Sequence, residues 1–235
     1  KEKRKNTARH HSATHLLHRA LKTVLGDHVH QSGSLVAYDR LRFDFTHFDP
    51  VNDEQIEKIN RIVNDAVFEG YKVVTELMDL EDAKKSGAEA LFDEKYGDKV
   101  RVVSMGNFTK ELCGGTHVKN TSDIGLFKIV TETGIAAGVR RIEAVAGKYA
   151  LAYYDQKEKQ LNEVSELLKA SPEEAAKKVQ SQLSRIKELT KEVERLTAKL
   201  TGAAASDASS KVREINGIPV LALVMDSMDM NALRN

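Results

Sequence analysis

Four of the eight histidines, His10, His11, His15 and His18, fall between positions 10 and 18. At about 100° per residue, His11 and His15 stand one turn apart on a helical face that points away from the apolar stripe. Such a pair can give two imidazole nitrogens to one metal ion. Alone, it reads equally well as two solvated side chains. A second pair, Cys113 and His117, is separated by Gly114, Gly115 and Thr116. Two glycines resist helix formation and favour a tight turn that folds Cys113 and His117 towards each other. Cys113 is the sole cysteine, and the common fate of a free cysteine is burial as a small apolar group. Taken together, the two pairs form the nitrogen–sulfur set that zinc prefers over calcium or magnesium. They predict a Zn2+ site at His11, His15, Cys113 and His117. A filled tetrahedron is usually structural, whereas an open position admits water or a substrate group. Ligand count does not choose between the two.

These residues need elements to hold them. Ala13, Leu16, Leu17, Ala20, Leu21 and Val24 recur at helical spacing and predict an amphipathic helix over 8–25. Alternation of apolar and charged residues over 41–45 predicts a strand. Ile56, Ile59, Val63 and Val67 predict a helix over 52–69, capped by Asn52 or Asp53. Further strands are expected over 71–77, 100–105, 125–131 and 141–145, with a turn-rich stretch at 133–138. The mixture predicts an α+β domain. Beyond residue 147 the chain reads as two helices. Ser171, Pro172 and Glu174 supply an N-cap, a first-turn proline and a capping-box carboxylate at the break. Val179, Ile186, Val193 and Leu200 then recur every seven residues, with Leu189 and Leu196 between them. That seam suits an antiparallel helical hairpin or a homodimer. Small and polar residues at 202–210 read as a linker, and 212–225 as the opening of a further β-containing unit.

Composition narrows the class. The chain has 235 residues, 41% apolar and 30% charged, with 14 Gly and 3 Pro, which excludes wholly disordered and collagen-like chains. No apolar run of about 18 residues is present to span a bilayer, and the basic start predicts no secretory signal. One cysteine suits a reducing, cytoplasmic setting. The net charge of +1 means that any nucleic-acid surface must be a local patch. Lys1, Lys3, Arg4, Lys5 and Arg9, with Arg140, Arg141 and Lys148, are of the type that lines a phosphate-binding rim, or are scattered solvated charges. The chain is expected to be a piece of a longer protein.

Five ordered blocks carry a family resemblance. They are Thr-Ala-Arg-His-His-Ser-Ala-Thr-His-Leu-Leu at 7–17, Val-His-Gln-Ser-Gly-Ser-Leu-Val at 29–36 and Arg-Leu-Arg-Phe-Asp-Phe-Thr-His at 40–47. Lys-Glu-Leu-Cys-Gly-Gly-Thr-His-Val follows at 110–118 and Gly-Ile-Ala-Ala-Gly-Val-Arg-Arg-Ile-Glu-Ala-Val at 134–145. The chain resembles the editing region of alanyl-tRNA synthetases over about 1–147. Residues 148–205 look like that family's helical, coiled-coil connector, and 206–235 like the start of its C-terminal domain. The resemblance implies hydrolysis of the ester in tRNA(Ala) mischarged with serine or glycine, with the tRNA acceptor end as partner. It implies zinc on His11, His15, Cys113 and His117, with Cys113 also among the catalytic positions. An editing role is implied for Gln31 and a pocket role for Thr14. Gly115, Arg140 and Arg141 join them as candidate substrate-binding positions. Ser12 and Ser32 stand where more variable residues are expected.

Nothing resembling the aminoacylation core is present, so charging is not assigned to this chain. The need for a second site follows from physical chemistry. A pocket for alanine gains only about 1–3 kcal/mol from one methyl group against glycine, and rejects an added hydroxyl by roughly a hundredfold. Two other readings compete. One is a free-standing editing protein of the same superfamily, and the other a non-catalytic module in which zinc is structural and the helices mediate assembly.

Overall fold

The computed structural model describes residues 1–89, 97–210 and 212–221, the side chains of 204–210 excepted. The chain divides into two units, Lys1–Glu158 and Lys159–Asn235. The first opens with α1 (Glu2–Leu25), β1 (Gln31–Val36), β2 (Leu41–Thr46) and α2 (Asp53–Phe68). It continues through β3 (Val73–Asp79), α3 (Leu80–Lys85), β4 (Lys99–Met105), β5 (Thr109–Leu112) and a 3-10 turn at Thr121–Ile124. β6 (Phe127–Ala136) and β7 (Val139–Ala146) follow, and α4 (Lys148–Leu168) starts in this unit and ends in the second. An antiparallel sheet of order β1-β2-β7-β6 and a second one of order β3-β4-β5 make this unit α+β, as the sequence predicts.

α1 begins earlier than its apolar stripe, and the Gly26 N–H closes its last turn on the Lys22 carbonyl at 2.9 Å. Leu16, Leu17, Ala20 and Leu21 are fully buried, in one core with Phe43 and Phe45 of β2, Ile59 and Val63 of α2, and Ile142 of β7. Burying one such side chain contributes about 1.5–3 kcal/mol, so this core fixes the helix axis and thereby the height of each histidine. α2 is capped by Asn52, in a reciprocal box with Gln55, which satisfies two donors left over at the helix start.

Two strands lie where the sequence predicts none, and one expected turn is mostly strand. β1 lies in a Gly- and Ser-containing segment that shows no strand alternation; pairing with β2, with a bulge between Gln31 and Gly33, makes it a strand. β5 has four residues, too few for a periodic signal. The stretch at 133–138 is mostly strand: β6 runs to Ala136, and the turn narrows to Ala137 and Gly138, whose φ of 70° suits glycine.

In the second unit α5 (Ala175–Ser210) absorbs the segment read as a linker, because alanine-rich sequence favours helix. The helix break falls where expected, but the Ser171 hydroxyl bonds the Glu174 carboxylate, and Pro172–Glu174 form a turn before α5. Val179, Ile186, Leu189, Val193, Leu196 and Leu200 remain between 39% and 73% exposed. β8 (Arg213–Ile215) and β9 (Ile218–Val220) form a hairpin across Asn216 and Gly217, both at positive φ. Residues 222–225 of the expected β-containing unit lie outside the described residues.

Candidate metal centre

α1 and the turn after β5 bring the two pairs together. One ligand atom from each of His11, His15, Cys113 and His117 lies within 4.8 Å of the others. Cys113 Sγ is 3.4 Å from His11 Nε2 and 3.3 Å from His117 Nε2. A tetrahedral zinc with ordinary Zn–S and Zn–N bonds separates such atoms by about 3.6 Å. The turn itself is clamped: Arg101 donates to the carbonyls of Cys113 at 2.8 Å and Gly115 at 2.6 Å. Gly115 packs under the His11 ring, where a Cβ would come within 2.0 Å of Cε1. Its part in the geometry is therefore to let the turn approach α1.

The carboxylate of Glu111, two residues before Cys113 on β5, is buried. It accepts from His15 Nδ1 at 2.6 Å, and its other oxygen lies 3.4 Å from His18 Nδ1. Thr109 Oγ1 donates to it at 3.0 Å. Burial opposes the charge on Glu111, but His15 outweighs it and holds the carboxyl well below the usual carboxylate range. Burial likewise opposes a charge on His15, and Glu111 overrides it, raising the imidazole to about 10. At Cys113 burial favours the thiol, yet hydrogen bonds from His11 and His117 bring it down to about 3. Burial lowers His117 to about 4. A thiolate and a carboxylate thus flank a site that demands positive charge between them.

The fit to a metal ion rests on a buried atom. With Nδ1 turned to Glu111, His15 Nε2 is buried and has no hydrogen-bond partner among the described residues, a cost that a metal bond removes. His117 is oriented in a similar manner, with Nδ1 3.2 Å from Ser12 Oγ, which accepts from the Val118 N–H at 3.1 Å. His10 serves the core instead: fully buried, it bridges the Asn6 carbonyl and the Ala146 N–H, each at 3.0 Å.

Beside the ligands lies a cavity of about 220 Å³, lined by His11, Thr14, His15, His18, Gln31, Ser34, Phe43, Glu111, Leu112, Cys113 and Gly114. Thr14 and Gln31 therefore share a wall with the metal-ligand candidates. Arg140 and Arg141 do not line it; each makes a two-pronged ion pair, with Glu132 and Asp44 respectively. Glu111, His18, Arg101 and Ser12 escaped assignment from sequence. The alternation of a strand ending Glu111-Leu112-Cys113 would have placed the carboxylate on the ligand's side, had β5 been legible.

Residues 100–143 match the threonyl and alanyl tRNA synthetase second additional domain, so the turn bearing Cys113 and His117 falls inside a recognised synthetase module. The whole chain is similar to alanine–tRNA ligases. It is 52% identical over 234 residues to that of Listeria welshimeri, covering 100% of this chain and 27% of the relative. To the Acetivibrio thermocellus ligase it is 48% identical over 235 residues, with the same coverage. To that of Nitrosomonas eutropha it is 51% identical over 229 residues, covering 97% of this chain and 26% of the relative. The resemblance to alanyl-tRNA synthetase thus extends over the whole chain. The chain spans about a quarter of the length of these relatives. No helix among the described residues is long and apolar enough to cross a membrane.

Proposed function

We propose that residues 1–147 form a zinc-dependent editing unit of an alanine–tRNA ligase, which hydrolyses the ester of tRNA(Ala) mischarged with serine or glycine. The observation that carries this reading is the cavity in which Thr14 and Gln31 meet His11, His15 and Cys113. His11, His15, Cys113 and His117 would hold the zinc. When bound, the ion supplies a Lewis acid for a substrate oxygen or lowers the pKa of a water. The chain's own residues do the rest. Glu111 and Ser12 engage the Nδ1 atoms of His15 and His117, so that Nε2 is the atom each ring would give to the zinc. Gln31, with an amide that both donates and accepts, orients the attacking water or the aminoacyl group. The aromatic and aliphatic walls, Phe43 and Leu112, exclude bulk water.

A basic surface meets the other side of His117. Lys1, Arg4, Lys5, Arg9 and Lys119 border a depression of about 500 Å³ together with His117 and Asp123. Cations at this spacing suit the phosphates of an acceptor strand. Lys3 lies 4.9 Å from the Tyr38 ring centre and Lys148 pairs with Glu2, so the rim centres on the other five. Deacylation of Ser-tRNA(Ala) with and without a chelator tests the reading. Loss of hydrolysis on chelation and recovery with zinc is expected. A chelator-treated, zinc-free chain that still hydrolyses at full rate overturns the zinc requirement, and a zinc-loaded chain with no hydrolysis overturns the editing reading.

A further inference from the structure

A second buried nitrogen has no partner among the described residues. The His18 side chain is 8% exposed and lines the cavity, and its Nε2 makes no hydrogen bond to any of them. Its Nδ1 faces the Glu111 carboxylate, which can only accept, so Nδ1 carries a proton and, in the neutral ring, Nε2 presents a lone pair. His15 also faces Glu111 through Nδ1, but its Nε2 belongs to the ligand cluster, whereas His18 lies outside that cluster. Thr14 Oγ1 is similarly committed: its hydrogen goes to the His10 carbonyl at 2.8 Å, so it offers the cavity acceptor pairs only. Two acceptors starved of hydrogen therefore line one cavity, and a buried carboxylate stands behind one of them.

Of the groups on an aminoacyl ester, the α-ammonium matches best. It has several N–H donors, no acceptor and a positive charge, while a hydroxyl must also find a donor. Resting on the editing reading for the identity of the ester, we propose that His18 Nε2 and Thr14 Oγ1 seat the α-ammonium of the aminoacyl group. His18 thereby binds substrate, and Glu111 positions it by holding the tautomer. Serine, glycine and alanine all carry this group, so the subsite sets the reach of the ester into the cavity and leaves side-chain discrimination to other contacts.

The test is binding to the full chain of two non-hydrolysable adenosine 3′-amides, one carrying a seryl group and the other its α-hydroxy analogue. The zinc-loaded wild type should prefer the amine by about tenfold or more, the worth of one hydrogen bond to a charged group. His18→Asn keeps an amide donor near Glu111 but removes Nε2, and should lose most of that preference while retaining zinc. Thr14→Val should lose part of it, and serves as an independent check should His18→Asn fold poorly. An undiminished preference in both variants overturns the proposal, as does a wild type without preference. Loss of zinc from a folded His18→Asn would make His18 a metal ligand and also overturn it. A wild type that shows the preference but leaves Ser-tRNA(Ala) intact supports the subsite and overturns the hydrolytic reading alone.

Discussion

α1 and α5 are both long helices with readable periodicity, and they use it in opposite ways. α1 buries Asn6, His10, Ser12, Thr14, His15 and His18, each less than a tenth exposed. α5 leaves Leu183, Ile186, Val193 and Leu200 59–73% exposed. A buried polar group costs free energy unless it is bonded, and on α1 the partners come from elsewhere in the chain: Glu111 for His15, Val118 and His117 for Ser12, Ala146 for His10. The apolar seam of α5 has no such cover among the described residues, and a seam of that spacing suits a second helix. Hydropathy thus says which face can be covered, while chemistry on the covering segment decides which face is covered.

The strongest test of this contrast strips the cover of its ligands. A Cys113→Ala, His117→Ala double variant should lose its zinc and slow Ser-tRNA(Ala) hydrolysis at least about a hundredfold. Elemental analysis and a deacylation assay read the two losses together. Retention of stoichiometric zinc would remove the site from these residues. Next in size is Glu111→Gln, which leaves all four ligands in place. Removing the charge beside His15 should weaken zinc binding by about 10–100-fold, measured by competition with a chelator. An unchanged affinity would show that the carboxylate has no part in orienting His15.

Gln31→Leu should keep zinc and raise the hydrolytic barrier by about 1–3 kcal/mol, the loss of one buried hydrogen bond. Equal slowing for serine and glycine esters points to the water, greater slowing for serine to its hydroxyl. No slowing for either removes Gln31 from the chemistry. A pH series probes the core side of α1. Burial lowers the pKa of His10 from its ordinary 6.5, so the unfolded chain takes up its proton first as pH falls. The stability His10 contributes is complete above pH 6.5 and declines below it, by at most about 1.4 kcal/mol per pH unit. His10→Gln should flatten that decline in urea titrations of the zinc-loaded protein. An unaltered slope would assign it to other groups. The smallest effect belongs to α5. Leu183→Glu with Ile186→Glu should change stability by no more than about 0.5 kcal/mol and leave zinc content untouched. Loss of zinc in that variant would break the contrast.

What was legible follows the same division. The helical pair His11 and His15 and the glycine turn between Cys113 and His117 are local patterns, and the α+β class follows from alternating helix and strand signals. Glu111 and His18 were not legible, because their roles depend on β5 pairing with β4 and then lying against α1. Four residues carry too little periodicity to announce that pairing. Arg101 looks like a surface cation of β4 until its reach to the Cys113 and Gly115 carbonyls is seen. Gly202 and the serines after it are poor helix formers read as a linker, yet the alanines among them let α5 continue.

His11 and Cys113 touch across 102 positions of chain. Contacts of such separation form late, since the loop must close before the contact can reward it. Metal capture in the final geometry must therefore wait until β4 and β5 have paired and docked on α1. Zinc uptake followed during refolding should then lag behind the appearance of helical signal, giving the centre a second use as a clock for the last step of folding.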